Sequence, residues 1–202
     1  MSWSNIYLQL ITATGPILGE GLLDGWEGSI ELRSFDWGMT ARTVADNAGA
    51  GFGLGGLASA IGISKNIPIE MLPLTFTKRF DVASAQIHTC LDMHLPVVSA
   101  SITVLHFNPS ALPKGAAGDV LSVAGPAAGA LEGLHKPGFI LLATDGYFES
   151  VDLDLQQDGN MSELVETVTL NFKTISISYV KAAWGVAIPM PPFIYSAHPT
   201  DF

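Results

Sequence analysis

The sequence predicts a mainly β protein, a compact β-barrel or sandwich with one lateral α-helix at about residues 82–94. Two patterns in the 202-residue chain predict this fold class. Apolar and polar side chains alternate with a period of two over most of the chain, which is typical of strands with one covered face. One segment instead repeats its apolar residues at helical spacing, and a lone amphipathic helix among strands packs on the flank of a sheet.

Six segments carry the strand pattern. In the second of them, Ile30 and Leu32 lie on one face while Glu31 and Arg33 lie on the other. Phe35 and Trp37 share the face of the charged pair, so both faces of this strand are partly apolar, as expected where one face meets a core and the other a neighbour. The predicted strands are 5–12, 28–39, 69–80, 97–107, 138–157 and 163–180.

The last predicted strand changes phase along its length. Glu166, Val168, Leu170 and Phe172 share one face of the strand, and beyond them Ile175, Ile177 and Tyr179 take over the apolar role. A change of face without a break in the strand pattern is what one extra residue in a ladder produces. We therefore expect a β-bulge near Lys173-Thr174.

The predicted helix follows the third strand directly. Asp81 is a candidate N-cap, because its carboxylate can accept hydrogen bonds from the free amides of the first turn. Pro96 marks the end of the helix, since proline does not continue one. The residues at helical spacing on the covered face are Ala83, Ile87, Cys90, Leu91 and His94.

The chain has the length of one domain, and we assign residues 1–180 to a single β-barrel domain. Two additions interrupt it, a glycine-rich loop at 47–66 and an Ala/Gly/Pro-rich insertion at 108–137, and a Pro-rich C-terminal tail follows at 181–202. Connections longer than about 12–15 residues without their own secondary structure are uncommon and are either functional or disordered.

Charge and hydropathy restrict the partners. Nine Lys and Arg residues against 19 Asp and Glu give a net charge of −10, and the basic residues are scattered, so we expect no nucleic-acid binding. Hydrophobic residues make up 48% of the chain and charged residues only 14%, where about 25% is usual. A subunit that covers much of its surface with copies of itself has this composition.

An aggregating fragment and a membrane protein are the other two readings of such an apolar chain. One candidate membrane-spanning segment lies between Asp46 and Lys65 and contains six glycines in 18 uncharged residues. Each glycine costs a helix about 1 kcal/mol relative to alanine, so we expect a loop and no membrane insertion. The N-terminus lacks a basic region and a small-residue cleavage site, which predicts no cleaved signal peptide.

No arrangement of residues predicts catalysis, a cofactor or a metal site. The single cysteine, Cys90, has no evident catalytic partner, and the glycine pattern at 51–56 follows no buried strand, so it is interpreted as loop. An acidic cluster is the best metal candidate, but its alternation favours a strand with one solvated face over a calcium loop. Its members are Asp145, Glu149, Asp152, Asp154, Asp158, Glu163 and Glu166.

Three motifs together resemble the Hcp family, the tube-forming proteins of bacterial type VI secretion systems. The segment 30–38 reads IELRSFDWG, the segment 76–84 reads FTKRFDVAS, and the segment 166–175 reads ETVTLNFKTI. Each resembles a strand motif of that family, although Lys173 and Thr174 are out of step with the usual pattern. They occur in the family's order, with the helix directly after the second motif.

The resemblance implies a barrel with a lateral helix that assembles into a homohexameric ring. Such rings stack into a hollow tube inside a contractile sheath, meet a spike protein at the tip, and are expelled with effector cargo into a target cell. The implied location is the bacterial cytoplasm before firing and the exterior or a target cell afterwards. The glycine-rich stretch falls where the family has an extended loop that contacts a neighbour, so we expect Phe52, Leu54, Leu57 and Ile61 to form an inter-subunit loop.

Two alternatives to the structural tube subunit stay open. One is a secreted effector or cargo adaptor built on the same ring, in which the insertion 108–137 and the tail 181–202 bind partners. The other is a monomeric ligand- or metal-binding β-sandwich that uses the acidic strand.

Overall fold

The structure is a computed structural model, and it describes residues 5–41, 69–107, 135–158, 161–183 and 186–196. Within these ranges the chain forms eleven strands and one helix. The elements in chain order are β1 (Ile6–Thr12), β2 (Gly15–Ile17), β3 (Ile30–Asp36), β4 (Met39–Ala41), β5 (Ile69–Met71), β6 (Leu74–Arg79), α1 (Val82–Asp92), β7 (Val97–Phe107), β8 (His135–Asp158), β9 (Met161–Ala183), β10 (Val186–Pro189) and β11 (Phe193–Ser196).

Six of the strands close into an antiparallel barrel, which confirms the predicted fold class. The order around it is β9-β6-β3-β1-β7-β8, and β8 pairs with β9 again to complete the circle. Each of the six predicted segments contributes a barrel strand, with β8 and β9 longer than expected. The predicted strand 69–80 is divided into β5 and β6, and the predicted strand 28–39 ends with β3, since Met39 already belongs to β4. The barrel interior holds apolar side chains from every one of its strands. The largest contributors to this core that are less than 2% exposed include Leu8, Leu10, Ile30, Leu32, Leu74, Phe76, Ile102, Leu141, Val168 and Leu170.

The helix forms where the sequence predicts it and is two residues shorter. Asp81 is the N-cap, and its side chain accepts a hydrogen bond from the Ala83 amide at 3.0 Å while Ser84 Oγ accepts one from the Asp81 amide at 3.0 Å. The predicted position of His94 on the covered helix face is wrong. His94 follows the C-cap residue Met93, has a left-handed backbone with a φ of 50°, and is exposed.

The predicted bulge near Lys173-Thr174 is wrong, because the β8–β9 ladder keeps its register there. Thr144 pairs with Thr174 and Gly146 with Phe172, so Asp145 stands opposite Lys173. The irregular backbone belongs to β8: Asp145 has a φ of 57°, and the only register shift of this ladder lies between Phe148 and Ser150. The change of buried face in β9 is nevertheless present, since Phe172 and then Ile175 are buried.

The two additions and the tail meet the barrel in different ways. The insertion ends earlier than expected, because residues 135–137 already belong to β8. The tail is not a simple extension: β9 continues to Ala183, and both β10 and β11 pair with β9 in antiparallel fashion. The remaining parts of the additions, 47–66 and 108–134, lie outside the described residues.

The strands that flank the glycine-rich segment in the sequence, β4 and β5, form a small two-stranded sheet. Strands β4 and β5 pair in antiparallel fashion, with Ala41 opposite Ile69. The described residues that flank this segment, Ala41 and Ile69, are therefore adjacent. In the same way Phe107 at the end of β7 pairs with His135 at the start of β8, so the residues that flank the second addition are also adjacent.

Candidate functional site

The predicted inter-subunit loop cannot be placed on this fold. Phe52, Leu54, Leu57 and Ile61 all lie outside the described residues, so their role stays a prediction. The described residues instead contain three features that could serve assembly: a buried ion-pair network that holds α1, an exposed apolar strip on the β8–β9 hairpin, and a groove beside α1.

The network centres on Lys78, whose side chain is fully buried between β6 and α1. Its Nζ donates to Asp81 Oδ1 at 2.6 Å, to Glu166 Oε2 at 2.8 Å and to the backbone oxygen of Arg79 at 2.8 Å. Ser84 Oγ also lies 2.8 Å from Nζ and donates to Glu166 Oε2 at 2.6 Å. One ammonium group therefore ties together two strands and the first turn of the helix.

His88 completes the network from the next turn of α1. Its Nε2 lies 2.8 Å from Glu166 Oε1, and its side chain is 39% exposed. Because an ionised carboxylate only accepts hydrogen bonds, Nε2 must carry the proton. Glu166 thus holds α1 at two successive turns, through Ser84 and through His88.

The environment of Glu166 lowers the pKa of its carboxyl group. Burial raises that pKa, but the hydrogen bonds from Lys78, Ser84 and His88 and the charge of Lys78 outweigh the loss of hydration. Glu166 is therefore a carboxylate at neutral pH, and its surroundings are built for that charged form. Because Ser84, Lys78 and Glu166 are all fully buried, this cluster is closed to a substrate and holds the helix to the barrel.

The acidic cluster of the sequence divides into separate environments. Glu166 belongs to the buried network, Glu163 pairs with Arg33 and Arg79, and Glu149 accepts a hydrogen bond from Asn171 at 2.7 Å. Asp152 and Asp154 are exposed. In the part of the chain that the structure describes, no three acidic, histidine or cysteine side chains lie close enough to hold a metal ion.

The apolar strip consists of Phe80, Leu153, Leu155 and Leu164, near the tip of the β8–β9 hairpin. Leu155 pairs directly with Leu164, and the Phe80 amide donates to the Leu164 carbonyl oxygen at 3.0 Å. Leu153 lies two residues before Leu155 and so shares its face. The exposed fractions of these side chains lie between 38% and 65%. The predicted single solvated face is therefore wrong at residues 152–155, where the leucines and the aspartates of β8 are all exposed.

The register explains why the strip is apolar. Lys78 pairs with Glu166, and Leu153 pairs with Glu166 on the other side. The strip therefore continues the inward-facing row of the barrel past the point at which α1 covers it. The side chains of the strip have the spacing of core residues but are exposed to solvent, because β8 and β9 extend beyond the six-stranded barrel.

Charged residues occupy the opposite face of the same hairpin. Glu163 pairs with both Arg33 of β3 and Arg79 of β6, and Arg33 donates to Gln156 at 3.2 Å. Val165 lies among them and is only 1% exposed. Exposed ion pairs of this kind contribute about 0–1 kcal/mol each. These ion pairs connect the hairpin to β3 and β6, and they lie on the face opposite the apolar strip.

A groove of about 530 Å³ separates α1 from the turn that joins β1 and β2. No charged side chain lines it, and its floor includes Ile17 and Cys90, which are each 4% exposed. Met93 stands at its rim and is 61% exposed. We call this the α1 groove, lined by Thr12, Thr14, Gly15, Pro16, Ile17, Ala85, Gln86, Thr89, Cys90, Met93 and Leu95.

Cys90 has the environment of a structural thiol. Burial raises the pKa of the Cys90 thiol, and a hydrogen bond with Thr12 opposes the rise only in part. A protonated thiol is a poor nucleophile. The predicted position of Cys90 on the covered face of the helix is confirmed, since it is 4% exposed.

The buried ion-pair network was not identified from the sequence, although it has a signal there. Lys78 follows Leu74 and Phe76 at a spacing of two, which places a lysine in an inward-facing row. Glu166 stands in the same relation to Val168 in β9. A buried lysine and a buried glutamate in two core rows imply an ion pair, because an unpaired buried charge is too costly. The apolar strip has no such signal, because exposure depends on where the barrel ends.

Among the described residues, none of the helical structure is long and apolar enough to cross a bilayer. No family model matches the sequence, and no curated protein matches it. Solved structures, in contrast, do match its fold.

Three solved structures match the fold over nearly the whole chain. A type VI secretion system protein matches with a TM-score of 0.64 and 18% identity, over 96% of this chain and 96% of its own. Hcp1 from E. coli EAEC 042 matches with a TM-score of 0.60 and 17% identity, over 93% of this chain and 98% of its own. A type VI secretion system effector from Yersinia pestis matches with a TM-score of 0.57 and 11% identity, over 95% and 99%.

Each of these relatives is an Hcp or type VI secretion protein, and each matches well over 90% of both chains. Because the sequence identities are only 11–18%, these matches show a shared fold. The chain therefore has the fold of the Hcp proteins of type VI secretion, the fold that its three sequence motifs indicated.

Proposed function

We propose that the protein is a non-enzymatic, structural subunit of a type VI secretion tube. In this role it forms homohexameric rings that stack into a hollow tube, and the tube is expelled together with effectors. Its partners are other copies of itself, the contractile sheath, the spike protein and the effector cargo. The subunit resides in the bacterial cytoplasm before firing and reaches the exterior or a target cell afterwards.

The observation that carries this proposal is the match of the barrel and its lateral helix to Hcp1 and to a second type VI secretion protein over more than 90% of the chain. The surface composition supports it as well. Only 14% of the residues are charged, and many large apolar side chains are exposed in the described part of a single copy. Obligate interfaces are larger and more apolar than transient ones, which accounts for such a surface.

Mass measurement in solution tests the proposal most directly. We expect a particle of six times the 21.3 kDa of one chain, with six-fold rings in negative-stain images. A monomer that persists at high protein concentration would contradict ring assembly. That outcome would favour the monomeric ligand- or metal-binding β-sandwich, which a calcium titration with a thermal-shift measurement then examines.

The glycine-rich segment belongs to the same proposal, with Phe52, Leu54, Leu57 and Ile61 in contact with a neighbouring subunit. Because Ala41 pairs with Ile69, residues 42–68 can be replaced by an Asn-Gly turn, which suits a two-residue hairpin. We expect this variant to keep the barrel's circular dichroism spectrum and thermal transition but to lose stacking of rings. Unchanged ring and tube assembly would refute the contact.

A secreted effector or cargo adaptor on the same ring is the second candidate. One matched structure is itself a type VI secretion system effector, from Yersinia pestis, which favours this reading. The two functions differ in what the insertion does. Since Phe107 pairs with His135, an Asn-Gly turn in place of residues 108–134 preserves the hairpin. A tube subunit keeps its assembly and cargo export without the insertion, whereas an adaptor keeps its assembly and loses cargo export.

A further inference from the structure

We propose that the apolar strip of one copy docks into the α1 groove of the next copy, in a head-to-tail contact that is repeated around the assembly. This inference rests on the proposed ring-forming function and names the two surfaces that make the ring contact. The strip is the projecting partner and the groove is the receiving one.

The strip has the properties of an interface core. Phe80, Leu155 and Leu164 stand side by side across three strands and are between 38% and 65% exposed. The ion pairs of Arg33 and Arg79 with Glu163 hold the other face of the hairpin against β3 and β6. A pre-positioned apolar row of this kind loses little conformational entropy on binding.

The groove offers a matching receptor. Its lining contains no charged side chain, and its floor is formed by the nearly buried Ile17 and Cys90. Its volume of about 530 Å³ lies within the range of about 300–1,000 Å³ of pockets that enclose small ligands. Several leucine-sized side chains can therefore enter it, while hydroxyl groups of Thr12, Thr14 and Thr89 lie in the lining.

Two matching surfaces on the same chain point to a second copy as the occupant, because every copy carries both the projecting strip and the receiving groove. Each copy has a net charge of −10, so two copies repel, and a contact made by uncharged surfaces adds least to this repulsion. The strip and the groove are both free of exposed charge. Asp152, Asp154 and Glu163 lie on the face opposite the strip, while Glu166, on the strip's own face, is buried and paired with Lys78.

The positions of the two surfaces allow one copy to use both at once. The strip adjoins the N-terminal end of α1, because Phe80 directly precedes the N-cap Asp81. The groove lies along the middle and C-terminal part of the helix, up to Met93. An eleven-residue helix spans about 16 Å. Two different surfaces on each subunit make a heterologous contact, which closes into a ring when the rotation is suitable.

Two single variants and their mixture test the contact. Leu155→Lys places a charge in the strip, and Met93→Lys places one at the groove rim, where the helix C-terminus tolerates a cation. Both side chains are more than 60% exposed, so both variants are expected to fold, as circular dichroism and thermal melting verify. Leu22→Lys, at a side chain 82% exposed and outside both surfaces, is the control with the same change of charge.

Sedimentation velocity gives a specific expectation for each sample. Wild type and Leu22→Lys form rings, and each of the other two variants alone is monomeric. Their equimolar mixture forms a one-to-one dimer, because the intact strip of one variant fits the intact groove of the other. The contact would be overturned if either single variant assembled as the wild type does, or if the mixture stayed monomeric. A monomeric wild type would overturn the ring function itself, which separates the two failures.

Disulfide trapping distinguishes this contact from a strip-to-strip pair. In a Cys90→Ser background, Leu155→Cys combined with Met93→Cys is expected to give a ladder of cross-linked species up to the closed ring after oxidation. Leu155→Cys alone is expected to give none. Dimers from Leu155→Cys alone would show that strips meet each other, and a missing ladder from the double variant in assembled rings would contradict the docking. Either result rejects the proposal.

Discussion

Lys78 is the residue on which the junction between β6 and α1 depends. Its ammonium group is fully buried and contacts two carboxylates, those of Asp81 and Glu166, within 2.8 Å. A buried ion pair is not in itself a strong source of stability, because both ions lose hydration. Once both ions are buried, however, removal of either one leaves the other as an unpaired buried charge, which is strongly destabilising. The network therefore specifies where α1 sits on the barrel.

Replacement of Lys78 by methionine is expected to destabilise the fold strongly. Methionine fills much of the same space but leaves Glu166 and Asp81 without their cation, and loss of one partner of a buried pair costs about 3–5 kcal/mol. Urea unfolding measures the change. Arg79→Met is the matched control, since Arg79 is 57% exposed and pairs with Glu163 at the surface, where we expect about 0–1 kcal/mol. Equal losses in the two variants would contradict the structural role of Lys78.

Glu166 makes the stability of the fold depend on pH. Its pKa is lower in the folded chain than its ordinary value of 4.5, so the unfolded state binds more protons in this range. Its stabilising contribution is complete above about pH 4.5 and is lost as pH falls through the lower pKa of the folded state. The variant Glu166→Gln cannot titrate. We expect it to be less stable than wild type at pH 7, with a difference that shrinks below pH 4.5.

Urea unfolding at a series of pH values from 7 to 3 provides this comparison. Asp154→Asn, at an exposed carboxylate on the same hairpin, controls for the loss of one negative charge. A wild-type–Glu166→Gln difference that stays constant over the whole pH series would show that the glutamate contributes by packing and hydrogen bonding alone.

The hairpin of β8 and β9 is the element that gives the molecule its exposed surfaces. Its strands are 24 and 23 residues long, where about five or six is usual. The irregular backbone of β8 lies at Asp145, whose φ is 57°. Gly146, which follows it, pairs with Phe172 of β9.

Gly146→Ala is expected to destabilise the hairpin. A Cβ atom at this position would collide with the backbone oxygen of Asn171 on the paired strand, and such overpacking costs about 1–3 kcal/mol. Gly38→Ala is the control, because its added Cβ would meet only the Leu72 side chain at an ordinary 3.6 Å. Thermal unfolding of the two variants checks the difference, and a tolerated Gly146→Ala would show that β9 can move away from β8.

The period-two pattern was enough to predict the barrel strands, and the N-cap Asp81 was enough to predict α1. The bulge was misplaced because a change of buried face in β9 has its cause in the partner strand, at Asp145, which the pattern of β9 does not contain. The strands β10 and β11 were missed because Pro189, Pro191 and Pro192 favoured a tail. Both strands pair only with β9, where proline is tolerated at an edge.

The candidate surfaces were less predictable than the fold. Leu153 and Leu155 alternate with Asp152 and Asp154, as in any half-covered strand. Whether such a row faces a core or solvent depends on where α1 and the other strands stop, and that is a property of the tertiary structure. The α1 groove likewise combines residues from β1, β2 and α1 that are far apart in the sequence.

The whole molecule combines a net charge of −10 with an apolar surface, and these two properties oppose each other in assembly. Burial of apolar area favours association, whereas like charges disfavour it. Exposed charges are screened as salt is added, with a Debye length that falls from about 30 Å at 0.01 M to about 8 Å at 0.15 M ionic strength. Apolar contacts are not weakened by this screening.

Assembly of the rings is therefore expected to strengthen as ionic strength rises from 0.01 to 0.15 M. We expect the concentration at which half of the protein is assembled to fall severalfold over this range, because the repulsion between subunits is screened while the strip-to-groove burial is unchanged. Sedimentation velocity over a dilution series at each salt concentration measures it. Leu22→Lys, which removes one unit of net negative charge outside both surfaces, should show a smaller salt response than wild type. Rings that dissociate as salt is added would instead show that ion pairs between subunits dominate the contact, and that the charge-free surfaces are not its core.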